Sequence, residues 1–204
     1  MKNITKQDAE SRLKEFVQSL NELHKELWTI DYKNRMDNKP LTHFFYQLRY
    51  EKLFTDPISK KPQNFVEILN QTYTYIITFK AILFLYEKNL VPSTETFEAN
   101  IGNQTGVDLK STNNLVVAEV FTAVTKYNNG KLTKDIIKVK KEAKKINPFN
   151  PPAQYVFFYI PGIPSGEYTN WTITKTEKTN GKTTIKDITG QYQDVKVYCL
   201  DVNL

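Results

Sequence analysis

Residues 97–124 read FEANIGNQTGVDLKSTNNLVVAEVFTAV, and their period decides the fold. The apolar spacing, helical through the preceding ninety residues, changes here to alternation, the mark of strands. Strands are expected at Thr96–Ile101, Gly106–Lys110 and Leu115–Val124, with a tight turn at Asn113-Asn114 between the last two. On the third strand Leu115, Val117, Glu119, Phe121 and Ala123 share one face, because successive side chains alternate. Glu119 is then a carboxylate within an apolar run, and a bare buried charge is expensive. Antiparallel pairing through the turn brings Asp108 to about one rung from Glu119, where two carboxylates repel unless a cation separates them. A divalent ion with oxygen ligands, Mg2+ or Mn2+, answers that repulsion. So does an ion pair between Glu119 and a lysine, either Lys110 or one from the helix that follows.

That helix is expected over 131–146, where Leu132, Ile136, Val139, Ala143 and Ile146 form one apolar stripe. Lys131, Lys134, Lys138, Lys141 and Lys145 form a second stripe opposite it. The chain is +6 overall, and residues 131–145 alone hold seven lysines against Asp135 and Glu142, while residues 91–130 are net acidic. A basic face suits phosphate contact with steep salt dependence, and a plainly solvated face has the same pattern. NPFNPP, residues 147–152, stops the helix; YVFFYI, residues 155–160, reads as a central buried strand, parallel to its predecessor after the helical crossover.

Upstream, a helix is expected from Asp8 to about Trp28 with Thr5 and Asp8 as its cap, and a second from Pro40 through LTHFFYQLRYEKLF. Asp56-Pro57 and Lys61-Pro62 then break the pattern. Residues 64–88 are the most apolar part. Their uninterrupted apolar run, Ala81 to Tyr86, is far shorter than the ~20 residues a bilayer requires, so a buried helix is expected, with strands as the alternative left by its β-branched content. Downstream, residues 171–188 read as a hairpin with Asn180-Gly181 at its turn, mixing Tyr168 and Trp171 with Lys175, Lys178, Lys182 and Lys186. A strand at Val195–Val202 follows.

At 204 residues the chain is one domain with core enough to need no staples. Cys199 is its only cysteine, and His24 and His43 its only histidines, which excludes a disulfide scaffold, the common zinc patterns and CxxC redox chemistry. MKNITKQDAESR lacks the apolar core of a secretory signal, so a cytoplasmic location is expected. The four N-x-T sequons, at Asn3, Asn70, Asn103 and Asn170, are then chance in an Asn- and Thr-rich chain.

The order helix, strand, strand with Asp108, strand with Glu119, helix, strand resembles the core of the PD-(D/E)xK, or restriction-endonuclease-like, nucleases, over roughly residues 64–160. In that family an Asp follows a turn at the start of a hairpin strand, and the next strand carries an acidic residue, any residue, then lysine. Asp108 matches the first acid and Glu119 the second, ten residues later; the lysine position is Phe121. Where the family supplies that lysine from elsewhere, Lys131 and Lys134 on the following helix and Lys110 on the Asp108 strand are the candidates. Glu67 matches an acid often contributed by the helix before the sheet, though a helix N-terminal charge is the commoner reading.

The resemblance implies an α/β fold in which a mixed central sheet is flanked by helices. An N-terminal helical layer would occupy 1–63, the nuclease-like core 64–160, and a C-terminal hairpin and final strand 161–204. It implies a Mg2+- or Mn2+-dependent endonuclease acting on DNA, of the type II restriction kind, working as a homodimer without a membrane. Asp108 and Glu119 would hold the metal, and Lys138, Lys141 and Lys145 would contact nucleic acid. The alternative is a catalytically inactive binding protein on the same fold.

Overall fold

Thr5 starts the first helix, α1 (Lys6–Met36), with a reciprocal cap: its hydroxyl accepts from the Asp8 N–H at 3.1 Å, and the Asp8 carboxylate accepts from the Thr5 N–H at 3.0 Å. The computed structural model describes residues 1–100, 106–123, 129–179 and 182–202. α1 continues two turns beyond Trp28 because Ile30 and buried Asn34 prolong its inward face. The Asn34 amide there donates to the Gln47 side chain at 2.6 Å. Gln47 belongs to α2 (Leu41–Tyr50), which ends a turn earlier than its apolar pattern suggests. Phe54 and Thr55 instead form β1 (Phe54–Thr55), antiparallel to β2 (Pro62–Gln63). Buried Asp56 organises the turn between them: its carboxylate accepts from the Ile58 and Ser59 N–H groups and, at 3.1 Å, from the Tyr75 hydroxyl.

Tyr75 lies on α3 (Phe65–Glu87), which is helical throughout and settles the choice for residues 64–88. β3 (Phe97–Ala99), β4 (Leu109–Ser111), β5 (Val116–Thr122), α4 (Asn129–Ile146) and β6 (Ala153–Tyr159) follow. The first two strands are shorter than expected and the second begins later. Ile101, at the end of the first expected strand, and Val124, at the end of the third, lie outside the described residues. The chain closes with β7 (Gly166–Glu167), β8 (Thr174–Thr179), β9 (Lys182–Asp187), a 3-10 turn at Thr189–Tyr192 and β10 (Val195–Cys199).

Six strands form one mixed sheet in the order β3-β4-β5-β6-β10-β7. β3, β4 and β5 are an antiparallel meander, whereas β6 is parallel to β5 and to β10. The β4–β5 turn is built by side chains. Asn114 takes a left-handed φ of 55°, and Ser111 Oγ accepts from the Leu115 and Val116 N–H groups at 2.8 and 2.9 Å. Alternation on β5 separates two cores: Val116, Ala118 and Val120 pack toward α1 and α3, while Val117 and Phe121 pack toward α4. The layers are therefore α1 and α3, the sheet, then α4. Among the described residues, no helix is long and apolar enough to cross a membrane.

β8 and β9 form a separate two-stranded ribbon. Tyr168 and Trp171, expected beside its lysines, instead pack against the α4-side core, with Tyr168 edge-on to Phe158 at 5.3 Å. The expected turn residues Asn180-Gly181 lie outside the described residues. Ile82, on α3, is fully buried in the first core. Ile82→Ala is expected to destabilise the fold by about 2–5 kcal/mol, read as a fall in the urea midpoint with an unchanged slope. A destabilisation below about 0.5 kcal/mol would mean that α3 is not packed as described.

Candidate functional site

The β4–β5 register pairs Leu109 with Ala118 and Lys110 with Val117, so its next rung sets Asp108 opposite Glu119. One Asp108 carboxylate oxygen accepts from the Val120 N–H at 2.9 Å, which ties that side chain across to the strand carrying Glu119. Glu119 has no exposed surface and lies on the α4 face of β5 between Val117 and Phe121. Asp108 lies just before β4, and its charge acts on Glu119.

α4 supplies what faces them. Lys138 donates to Glu119 Oε2 at 2.8 Å, although its place in the lysine stripe suggests a phosphate contact. Two turns earlier Lys131 donates to Asp135 at 2.7 Å, and its ammonium lies 5.9 Å from the centroid of the Phe121 ring. The lysine stripe therefore divides. Lys131 and Lys138 turn toward buried carboxylates, while Lys134, Lys141 and Lys145 stay exposed, the last bonded to Glu142. Lys110 is half-buried on the Asp108 strand, opposite Val117. Glu67 is not part of this cluster. It is exposed at the start of α3, on the other side of the sheet, where it completes the capping box with Asn64.

Asp135 is not singled out by the sequence, where it counts only as an offset to the lysines. It falls three residues after Leu132 and four before Val139, on the border of the apolar stripe. An acid in that position is the available signal. Its side chain is 3% exposed, and burial raises its pKa first, with the Asp108 charge adding to the shift and Lys131 and Lys138 opposing it.

Burial likewise raises Glu119, followed by the charge of Asp108, to about 8 despite the pull of Lys138. For Lys138, burial acts downward, but the bond to Glu119 and the charges of Glu119, Asp108 and Asp135 outweigh it and raise the ammonium. Each ion pair is incomplete. Among the described residues, Glu119 Oε1 and Asp135 Oδ2 are buried with no hydrogen-bond partner, an arrangement that ordinarily costs on the order of 1–3 kcal/mol per group.

The donor set suits a hard cation. Mg2+ is commonly held by one or two carboxylates, with water and substrate phosphate filling its other positions. Asp108 and Glu119 provide two neighbouring carboxylates, and among the described residues one Glu119 oxygen has no partner. Among the described residues, no three His, Cys, Asp or Glu side chains are arranged to hold a metal by themselves, so the remaining positions would fall to water and substrate. A hollow of about 450 Å3 on α1 and the β1–β2 turn, beside Arg12, Glu15, Glu22 and Lys60, shares no residue with the acids, and its mixed charges select no ligand.

Phe121 holds the place of the resemblance's lysine. It is buried and stacked on Phe158 at 5.5 Å, which gives it a packing role. No protein-family model, no curated protein and no solved structure matches this chain, so its chemistry rests on these side chains.

Proposed function

We propose that the chain is a metal-dependent nuclease that hydrolyses DNA phosphodiester bonds, of the restriction-endonuclease-like kind. The observation that carries this reading is Glu119: a buried carboxylate, one oxygen of which has no partner among the described residues, near the charge of Asp108 and bonded to a lysine delivered by the next helix. The element order α3, β3, β4, β5, α4, β6 supports it, since it is the order in which the nuclease resemblance arranges its core.

Mg2+ or Mn2+, when bound, supplies a water of lowered pKa and a Lewis acid for the phosphate. Asp108 and Glu119 would hold the ion, with the Val120 N–H restraining one Asp108 oxygen. Lys138 is the positioned cation. Its ammonium orients the attacking water or screens charge that develops on the phosphate oxygens. Asp135 keeps Lys131 beside Phe121 and deepens the local negative field. Lys134, Lys141 and Lys145 are the phosphate contacts along the exposed side of α4.

A second reading, a nucleic-acid-binding protein that does not cut, is favoured by one observation: Lys138 already bonds to Glu119 without an added ion. Incubating supercoiled plasmid with the chain in Mg2+ or Mn2+ separates the two. Nicked or linear product supports the nuclease, and salt-sensitive retention without product supports the binder. Absence of binding at low salt would sink both. In the same binding assay, Lys141→Ala with Lys145→Ala is expected to lower the slope of log K against log salt by about 1 for each phosphate no longer neutralised. An unchanged slope would remove α4 from the interface.

A further inference from the structure

We propose that the ribbon of β8 and β9 enters the major groove of duplex DNA and is the part of the chain that reads base edges. Its strands, TKTEKT and KTTIKD, carry four lysines and five threonines against Glu177 and Asp187. A two-stranded hairpin is marginally stable in water unless a further element covers one of its faces. Here neither face is covered: among the described side chains of 174–178 and 183–187, Glu177 is half-buried and every other one is exposed. Ile185, the apolar one among them, is 74% exposed. The register sets Lys175 directly opposite Lys186, on one face, where like charges repel. The acids leave most of that charge in place. Glu177 accepts from Lys175 at 3.2 Å, and Asp187 is engaged at the root of the ribbon, where it accepts from the Thr189 N–H at 2.8 Å. Among the described residues, no ion pair joins Lys178 or Lys186 to an acid.

Charge and shape select the occupant. A polyanion relieves the repulsion between Lys175 and Lys186, and lysine and threonine side chains are donors to phosphates and base edges. An anionic bilayer would ask for a broad apolar face, where this ribbon offers one isoleucine. The major groove of B-form DNA, about 12 Å wide, admits a two-stranded ribbon, whereas that of A-form RNA is too narrow for side chains to read. Ile185 suits the methyl group that thymine displays there. Placement agrees. Ile173 and Ile188, which flank the two strands, pack in the core beneath α4, and the Ile173 N–H donates to Thr189 Oγ1 at 2.8 Å. Just beyond, Lys140 of α4 bonds to Asp194, and its ammonium lies 5.7 Å from the centroid of the Tyr192 ring. The ribbon is therefore rooted in the same layer as the lysine helix, on the side of the sheet that carries Glu119. A duplex on that side meets α4 along its phosphates and the ribbon in its groove. The inference deepens the reading above and rests on DNA being the ligand, not on the chain cutting it.

The test is binding of the full chain, without divalent ions, to a 30-base-pair DNA duplex and to an RNA duplex of the same sequence. Methylation of guanine N7 by dimethyl sulfate reports the major groove. The parent is expected to shelter guanines in DNA and to bind the RNA at least tenfold more weakly. Lys175→Ala with Lys186→Ala should bind DNA at least tenfold more weakly and lose that shelter at saturating protein, as should Ile185→Asp. An unchanged circular dichroism spectrum and melting temperature would separate this loss from misfolding. Lys141→Ala with Lys145→Ala, on α4, should weaken binding and keep the shelter. Binding without shelter, shelter indifferent to the ribbon substitutions, or equal affinity for the RNA would overturn the proposal while leaving α4 as an interface. A parent that binds no duplex at low salt overturns this proposal and the reading it rests on together. Shelter lost in the ribbon variants of a chain that cuts no plasmid would uphold the ribbon and end the nuclease.

Discussion

If the chain is the nuclease proposed above, it is expected to cut supercoiled plasmid in Mg2+ or Mn2+, and Asp108→Asn or Glu119→Gln is expected to leave the plasmid intact, each lowering the rate by about 10²–10³-fold or more. Both substitutions keep the shape of the side chain and remove its charge. Asn at 108 can still accept from the Val120 N–H, so the link between β4 and β5 persists while the ion loses a ligand. Gln at 119 keeps the packing between Val117 and Phe121. Lys138→Met should fall with them, whereas Lys134→Ala, on the exposed side of α4, should weaken binding and spare the rate at saturating DNA. Cutting that survives both acid substitutions would disprove the site even if the chain is a nuclease. Cutting abolished by Lys134→Ala and retained with Lys138→Met would give the lysine's role to the start of α4.

Stability should depend on pH through Glu119 in a direction opposite to that of an ordinary salt-bridged acid. Its pKa in the folded chain is raised from 4.5 to about 8, chiefly by burial. Between those values the folded state binds the proton and the unfolded state does not. The slope of unfolding free energy with pH is therefore negative, and stability falls as pH rises through that window. Glu119→Gln removes the titrating group, so the variant should lose this decline and melt higher than the parent at the alkaline end. Mg2+ should raise the melting temperature of the parent most at alkaline pH, where the carboxylate is ionised, and should do so far less in Glu119→Gln. These readouts need no cleavage. A melting temperature of the parent that is flat across the window, or rises through it, would contradict the buried, desolvated Glu119. An equal Mg2+ response in both chains would place the ion elsewhere.

Asp108 and Glu119 are legible as a pair because every step leading to them is local. Alternation along β5 puts Glu119 on a buried face, and Asn113-Asn114 marks the turn that folds β4 back beside it. The helix-then-strand crossover is equally legible: the spacing of Leu132, Ile136, Val139 and Ala143 and the apolar run of β6 carry their own periods. Boundaries are less so. α2 ends before Phe54 because Phe54 is captured by the α3-side packing with Ile68, a neighbour distant in sequence. Tyr168 and Trp171 read as part of a protruding ribbon, but the core beside Phe158 has room for them.

The order of β3, β4, β5, α4 and β6, the buried face of β5 and the closeness of two carboxylates are written in the sequence, since each follows from a period or a turn within a few residues, whereas β1, β2, β7 and the helical state of residues 64–88 are not. Docking of the elements settles which lysine meets Glu119, that Asp135 is buried near it, and that the outer side of α2 stays exposed while its inner side packs on α1. A helix rises about 1.5 Å per residue and a strand about 3.3 Å, so the pairing of α4 with β5 depends on the angle and offset at which they dock. That offset is set by the packing of Leu132, Ile136 and Val139 against the sheet, and no local pattern in the chain encodes it.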